Sequence, residues 1–271
     1  MKTKATSVLA KSGDGSIQIT FSIPYGEIKT ARQAAVGELS QNITVPGFRK
    51  GKAPYQKAFN KLSPGDVVEK TITILFPELF ADAIREHKIK PATYPKLELL
   101  KAEEDKPWEI KATTCELPRI KLLAYKKELT MALKTKKKLS AQEKEQMVIE
   151  TLLKLVEVKI PEILIREETD ARLSQLLARI EKLGLTLESY LASIGKNVET
   201  MRADYQNESE KTLKLELILN EIADQEKVKV KEEDINKAMA EIKAADNPRQ
   251  RAAVRSLLRK RAVLTLLAGL V

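Results

Sequence analysis

One short basic stretch of this chain combines residue types and spacing that could do chemistry. Residues 47–52 read Gly-Phe-Arg-Lys-Gly-Lys, and Pro46 and Pro54 flank them. Glycine reaches positive φ without steric cost and proline disfavours helix, so we expect a tight, exposed turn. Phe48 would find little core to enter at such a tip. An exposed aromatic ring beside one arginine and two lysines predicts docking to a polyanionic partner with an apolar anchor.

A phosphate-binding loop is an alternative interpretation of the same residues. That motif needs four residues between its glycines and a Ser or Thr after its lysine. Here three residues separate Gly47 from Gly51, and Ala53 follows Lys52. No strand-like run leads into the turn. The pattern therefore argues against nucleotide binding and leaves a plain surface turn, basic by chance, as the remaining alternative.

Side chains for catalysis or metal binding are scarce in the sequence. The single cysteine, Cys115, lies in a strand-like run, where it is typical of a small buried residue, and the single histidine, His87, ends a helical run. One His and one Cys cannot build a Cys/His metal site or a Ser-His-Asp relay. We expect no catalytic residue, no metal and no cofactor.

Composition favours a soluble globular protein rich in exposed helix. Of the 271 residues, 43% are hydrophobic and 32% are charged. No span approaches the roughly 20 apolar residues that a membrane helix needs. Residues 1–16 hold no apolar stretch long enough for a signal peptide. We therefore expect a cytoplasmic protein that makes no membrane contact.

The net charge of +10 is unevenly distributed along the chain. Residues 119–138 carry 8 basic and 1 acidic side chains, and residues 243–271 carry 7 and 1. By contrast, residues 139–242 carry 15 basic and 22 acidic side chains. The two basic clusters could face RNA, whereas the acidic middle argues against a protein built throughout for nucleic-acid binding. A solvated lysine-rich surface is the alternative for 119–138.

Residues 1–118 predict an α+β domain that positions the basic turn. Strict alternation of Ile17, Ile19, Phe21 and Ile23 indicates a strand with one buried face. Pro77 should end or kink the helix that contains it. We expect a four-stranded antiparallel sheet with helices on one face and the basic turn between two helices. The expected strands are 4–11, 16–23, 96–101 and 108–116, and the expected helices are 25–43, 55–62 and 63–88.

Residues 140–271 predict an all-α domain. Ser140 and Glu143 fit a capping box, and Gly184 and Gly195 fit helix ends. The short connections favour antiparallel neighbouring helices. Residues 119–139 are basic and weakly patterned, which predicts a linker.

The basic turn also resembles a known motif. Residues 47–54, Gly-Phe-Arg-Lys-Gly-Lys-Ala-Pro, are similar to the ribosome-docking signature of bacterial trigger factor, a chaperone at the polypeptide tunnel exit. Lys-Ile-Pro-Glu at 159–162 and the leucine-rich blocks at 183–191 and 214–223 resemble the helical C-terminal domain of that family. The resemblance implies a ribosome-binding domain at 1–118 and a helical chaperone domain with extended arms at 140–271.

The chain departs from the family pattern in one place. The family usually carries a prolyl isomerase domain between these two blocks, but residues 119–139 are too few for a folded domain. We expect a basic linker in its place and therefore no isomerase activity, so the protein is expected not to be an enzyme.

The resemblance implies an ATP-independent, ribosome-associated chaperone that shields nascent chains. Its docking partners would be protein and rRNA of the large ribosomal subunit near the tunnel exit. We also expect a weak homodimer of the free protein. Candidate contacts for unfolded nascent polypeptides are Met201, Tyr205 and Met239, although each is more typical of a core. The residues expected to bind the ribosome are Gly47, Phe48, Arg49, Lys50, Gly51 and Lys52.

A basic RNA-associated factor in ribosome assembly or hibernation is the alternative function. The cluster at 119–138 supports it, as do the cations of the last helical run. Tight RNA binding without ribosomal protein, with a steep salt dependence, would favour this function. Suppression of client aggregation would favour the chaperone. The cations of the last run are Arg249, Arg251, Arg255, Arg259, Lys260 and Arg261.

Overall fold

The computed structural model describes residues 4–134, 139–242 and 246–270. The chain divides into two compact units, Met1–Leu117 (unit 1) and Pro118–Val271 (unit 2). Each unit has its own hydrophobic core. No helix in the described ranges is both long enough and apolar enough to cross a lipid bilayer.

Unit 1 is a four-stranded antiparallel sheet with three helices, as the sequence predicted. The strand order is β1-β2-β4-β3. Odd-numbered residues of β2 are buried from Ile17 to Ile23, so the alternation in the sequence sets which face meets the helices. The elements are β1 (Thr6–Lys11), β2 (Ser16–Ile23), α1 (Tyr25–Ser40), α2 (Tyr55–Phe59), α3 (Pro64–His87), β3 (Lys96–Lys101) and β4 (Trp108–Cys115).

The α3 helix runs through Pro77, where the sequence had predicted an end or a kink; the prediction of an end was wrong. Aromatic packing on both sides of the proline accounts for the continuity. Phe76 meets Phe21 of the sheet edge-to-face at 6.0 Å and stacks on Phe80 at 5.2 Å. These contacts hold the helix against the core, and such packing overrides the local preference of a proline.

Unit 2 is all-α, with seven helices among its described residues. Four of them begin with a side-chain cap: among these, Ser140 and Glu143 form the expected capping box, and the Asn247 side chain accepts from the backbone N–H of Gln250. The helices are α4 (Tyr125–Lys134), α5 (Ala141–Leu155), α6 (Glu162–Lys182), α7 (Leu187–Ser193), α8 (Val198–Gln225), α9 (Glu232–Glu241) and α10 (Pro248–Ala268).

Two helical arms extend from the main core of unit 2, which α4, α5 and the C-terminal halves of α8 and α10 form. In the first arm, α6 packs on the N-terminal half of α8, and Arg202 pairs with Asp170 at 2.8 Å across the two helices. In the second, α9 packs on the start of α10 around Ile235, Met239 and Val254.

The prediction of a linker at 119–139 is wrong for the middle of that segment. Residues 125–134 form helix α4, whose Tyr125, Leu129 and Leu133 are buried in the main core of unit 2. The Tyr125 hydroxyl donates a 2.8 Å hydrogen bond to the Glu226 carboxylate beyond the end of α8. Tyr125, Leu129 and Leu133 are spaced four residues apart and therefore share one helical face. That face packs into the main core of unit 2, although lysines surround these residues in sequence. Residues 135–138 of the predicted linker lie outside the described residues.

Candidate functional site

The basic turn predicted from the sequence, residues 47–52, is a loop that connects α1 to α2 in unit 1 (the basic loop). Val45, just before it, is buried, and Pro54, just after it, precedes the first turn of α2 with φ −58°. A fixed φ near this value suits the entry to a helix. The loop is thus fastened at both ends, and only its middle stands out from the unit.

Two consecutive turns shape the loop. The Phe48 N–H donates to the Val45 carbonyl at 3.0 Å, and the Lys52 N–H donates to the Arg49 carbonyl at 2.9 Å. Gly47 (φ +83°) and Gly51 (φ +75°) occupy the third position of each turn. A positive φ at that position is what a type II turn requires, and glycine meets it without strain. The Phe48–Arg49 peptide therefore joins two turns that the backbone itself fixes.

Gly51 is needed for a second reason. A β-carbon there would lie 3.2 Å from the α-carbon of Gln41 and 3.3 Å from its carbonyl oxygen. The Gly51 N–H also donates to the Ile43 carbonyl at 3.4 Å. The second turn is therefore held close to the end of α1. A β-carbon on Gly47, by contrast, would meet no atom within 4 Å.

The side chains of the loop are free to meet a partner. Phe48 is 38% exposed and belongs to none of the buried clusters, and Arg49, Lys50 and Lys52 are exposed. The support beneath the loop comes from a small satellite core. Its buried members are Val36, Ala58 and Val67, and its half-buried members are Leu39, Ile43, Ala53, Phe59 and Leu62.

Positive charge in unit 1 is concentrated around the loop. Residues 24–62 (the basic segment) carry 7 basic and 2 acidic side chains, whereas the rest of described unit 1 carries 10 and 12. None of the seven cations in the basic segment forms an ion pair with a residue that the structure describes, although at least seven of the ten elsewhere in described unit 1 do. A cluster of unpaired cations is typical of a surface that binds an anionic partner. The seven are Lys29, Arg32, Arg49, Lys50, Lys52, Lys57 and Lys61.

Comparisons with known proteins show to which family the chain belongs. A family model described as bacterial trigger factor protein matches residues 6–155, and one described as the bacterial trigger factor C-terminus matches residues 124–269. Each match spans more than half of the chain. This chain belongs to the trigger factor family. The two matches overlap at residues 124–155.

Curated trigger factors match part of the chain. The trigger factor of Lactococcus lactis subsp. lactis is 32% identical over 153 residues, which are 56% of this chain and 35% of that protein. That of Lactiplantibacillus plantarum is 34% identical over 110 residues, 40% of this chain and 25% of that protein. The aligned region thus spans about a third or less of the length of these relatives.

A solved structure of the trigger factor chaperone has the same fold. It comes from work on promiscuous substrate recognition in folding and assembly. It aligns with a TM-score of 0.61 at 12% identity, covering 97% of this chain and 99% of that chain.

Two of the three client contacts expected from the trigger factor resemblance are interior residues. Met201 is 6% exposed, and Met239 is 5% exposed in the core of the second arm, while Tyr205 is half-buried. Methionine fills irregular gaps in cores as readily as it lines adaptable surfaces, and both methionines here take the core environment that is the more typical of them. Met201 and Met239 are therefore corrected from client contacts to packing residues.

Exposed apolar side chains that the sequence analysis missed lie at the two turns of the first arm. Each turn ends a helix with a left-handed glycine, Gly184 (φ +70°) or Gly195 (φ +63°). The N–H of the residue after each glycine bonds a carbonyl five residues back, at 3.1 Å, which is a Schellman cap. Four exposed apolar side chains flank these two turns at the arm tip (together, the tip patch): Leu183 (74% exposed), Leu185, Ile194 and Val198. The leucines on either side of Gly184 were the feature of the sequence from which this patch could have been predicted.

The cations of α10 are mostly engaged within unit 2. Arg251 pairs with Glu232 and Asp246, Arg255 pairs with Glu232 at 2.6 Å, and hydrogen bonding to both arginines lowers the pKa of Glu232. Arg259 pairs with Asp224 and Lys260 with Glu216. These ion pairs join α10 to α8 and α9. Four of the six cations that supported an RNA-associated factor therefore have carboxylate partners.

Proposed function

We propose that this member of the trigger factor family is a ribosome-associated chaperone of the bacterial cytoplasm. It docks through the basic loop on protein and rRNA of the large subunit near the tunnel exit. Phe48 supplies the apolar anchor, Arg49, Lys50 and Lys52 supply charge, and Gly47 and Gly51 set the two turns. One observation carries the proposal: the exposed ring of Phe48 lies among cations that form no ion pair, on a loop of two consecutive turns. The satellite core packs beneath that loop and supports it.

Unit 2 shields emerging chains in this proposal. The tip patch offers exposed leucine, isoleucine and valine side chains, and the arms around it carry charges of both signs. Apolar contacts of this kind hold unfolded segments weakly, and surrounding charge keeps the surface hydrated. Binding and release then follow from affinity alone, without ATP, and the chain acts as a chaperone, not as a prolyl isomerase.

Co-sedimentation with 70S ribosomes tests the docking step. The Phe48→Ala/Arg49→Ala/Lys50→Ala variant should lose binding at both low and moderate salt. A matched control removes one exposed aromatic and two exposed cations elsewhere in unit 1, as Lys88→Asn/Lys90→Ala/Tyr94→Ala; asparagine suits the left-handed φ of 52° at Lys88. The control should bind like wild type. Equal losses in both variants would mean that general charge drives association.

The RNA-associated factor is less well supported, because the α10 cations are largely paired. Repeating the co-sedimentation with naked rRNA separates the two functions. Binding to naked rRNA that equals binding to ribosomes would favour the RNA factor. Sedimentation equilibrium of the free chain tests the expected weak homodimer.

A further inference from the structure

A polar pocket of about 200 Å³ lies in unit 1 between the two helices that the basic loop connects. Helix α1 forms one wall, α2 forms the other, and a residue of the β3–β4 connection closes one side. Seven of its eight lining residues carry polar or charged groups that can hydrogen-bond, and the eighth is Phe59. The seven are Tyr25, Lys29, Arg32, Gln33, Tyr55, Gln56 and Glu104.

Tyr55 gives the pocket an aromatic face. Its ring is stacked on Phe59, with centroids 5.9 Å apart and planes 15° from parallel. Phe59 is itself half-buried in the satellite core beneath the basic loop, so the packing fixes the plane of Tyr55. Tyr55 nevertheless remains 42% exposed. An aromatic ring held in place and still open to solvent is a platform on which a flat ligand can stack.

Two cations stand one turn apart on the α1 wall. The Arg32 guanidinium lies 5.5 Å from the ring centroid of Trp108, which is buried in the core of unit 1. This contact orients the guanidinium without neutralising it. Lys29 is exposed, and neither cation forms an ion pair within the part of unit 1 that the structure describes. Both are therefore available to an anion.

We infer that this pocket binds a nucleotide of rRNA beside the tunnel exit, with its base stacked on Tyr55 and its phosphate held by Lys29 and Arg32. This inference rests on the proposed docking function and adds a second contact to the basic loop. Gln33 and Gln56 each offer a donor and an acceptor for the edge of an unstacked base. Phosphate neutralisation and aromatic stacking are the two terms that govern binding of single-stranded RNA.

RNA fits this pocket better than an acidic protein segment does. A carboxylate side chain has no aromatic ring to stack on Tyr55, and the Glu104 carboxylate on the rim offers it no hydrogen-bond donor. The same Glu104 can accept a hydrogen bond from the amino group of a base. The combination of cations, a stacking ring and an acceptor therefore favours a nucleotide.

The test compares two double variants of the full chain on 70S ribosomes. Lys29→Gln/Tyr55→Leu removes one cation and one ring from the pocket. Lys90→Gln/Tyr94→Leu makes the same chemical changes at exposed positions of unit 1 outside the basic segment. The pocket variant should bind at least about fivefold more weakly, the lower end for a lost stacking contact. Its salt slope should fall by about one unit, as one phosphate contact is lost. The control should match wild type.

A cross-link identifies the class of partner. A benzophenone amino acid at Gln56, placed in wild type and bound to ribosomes, should react with rRNA on irradiation, whereas the same probe at Tyr94 should not. Cross-links to ribosomal protein alone, or equal affinity losses in both double variants, would overturn the inference.

If the Phe48/Arg49/Lys50 variant loses ribosome binding while the pocket variant binds like wild type, the proposed function stands and the inference fails. Lys29→Gln alone gives the salt slope if the double variant does not fold.

Discussion

The α-carbon of Gln41 lies 3.2 Å from the point where a β-carbon would stand on Gly51. Gln41 caps the C-terminus of α1, and Gly51 is the third residue of the second turn of the basic loop. The close approach ties the exposed loop to a packed helix. The orientation of the loop is therefore set by backbone packing, and its exposed side chains are left to contact a partner.

Gly51→Ala should damage the loop more than Gly47→Ala does. Both substitutions force alanine into the left-handed region, which costs about 1–2 kcal/mol. Only Gly51→Ala also pushes a β-carbon against Gln41, so the second turn must shift. We expect the larger loss of ribosome affinity and the larger drop in Tm for Gly51→Ala. Equal effects of the two substitutions on both measurements would contradict the role of the Gln41 contact.

Phe48→Ala should leave the stability of unit 1 almost unchanged, because Phe48 belongs to no buried cluster. Surface changes of this kind usually stay within about 0.5 kcal/mol. Phe59→Ala is the matched comparison. It removes the same ring from the satellite core and should lower the free energy of unfolding by about 2 kcal/mol, less than a fully buried Phe→Ala. Urea unfolding followed by circular dichroism measures both. A comparable loss for Phe48→Ala would mean that its ring is a packing residue.

Local patterns in the sequence were enough to predict the sheet and the loop. The alternation along β2 is a period-2 signal, and each glycine of the loop marks the positive φ of a turn. Helix α4 could not be predicted in the same way. Its lysines dominate the composition, and its apolar face packs into a core shared with neighbouring α5 and with α8 and α10, which lie about a hundred residues away or more. The burial of Met201 and Met239 likewise depends on which helices pack together, which residue type does not reveal.

Leu129→Ala should destabilise unit 2, because Leu129 is fully buried in its main core. A buried leucine truncated to alanine costs about 2–5 kcal/mol. Limited trypsin digestion gives a second readout. Cleavage after Lys126 and Lys127 should be slow in wild type, since both lie in α4, and fast in Leu129→Ala. Rapid cleavage there in the wild-type chain would show that α4 opens readily and that the segment behaves as a linker.

The Glu226 carboxylate should make unit 2 sensitive to acid. Hydrogen bonds from Lys126 and Tyr125 lower its pKa below the ordinary value of 4.5. A carboxyl whose pKa is lower in the folded state contributes stability above its unfolded pKa, and loses that contribution as the pH falls through the folded pKa. Glu226→Gln should therefore be less stable than wild type at pH 7, and the difference should shrink below about pH 4.5. Urea unfolding at pH 7 and pH 3 measures it. A difference that stays constant with pH would mean that ionisation of Glu226 is not the source.

The tip patch gives the clearest separation of client binding from folding. Leu183→Ser/Leu185→Ser replaces two exposed leucines beside a glycine whose cap is formed by backbone hydrogen bonds. The arm should keep its structure, so the Tm should change little, while the chain suppresses aggregation of an unfolded client less well. Met201→Leu is the control: it makes a conservative change at a buried position, costs less than about 1.5 kcal/mol, and should leave client protection unchanged. If the double serine variant protects the client as well as wild type does, the tip patch does not carry client binding. If Met201→Leu alone impairs protection with an unchanged Tm, the N-terminal half of α8 becomes the better candidate for the client surface.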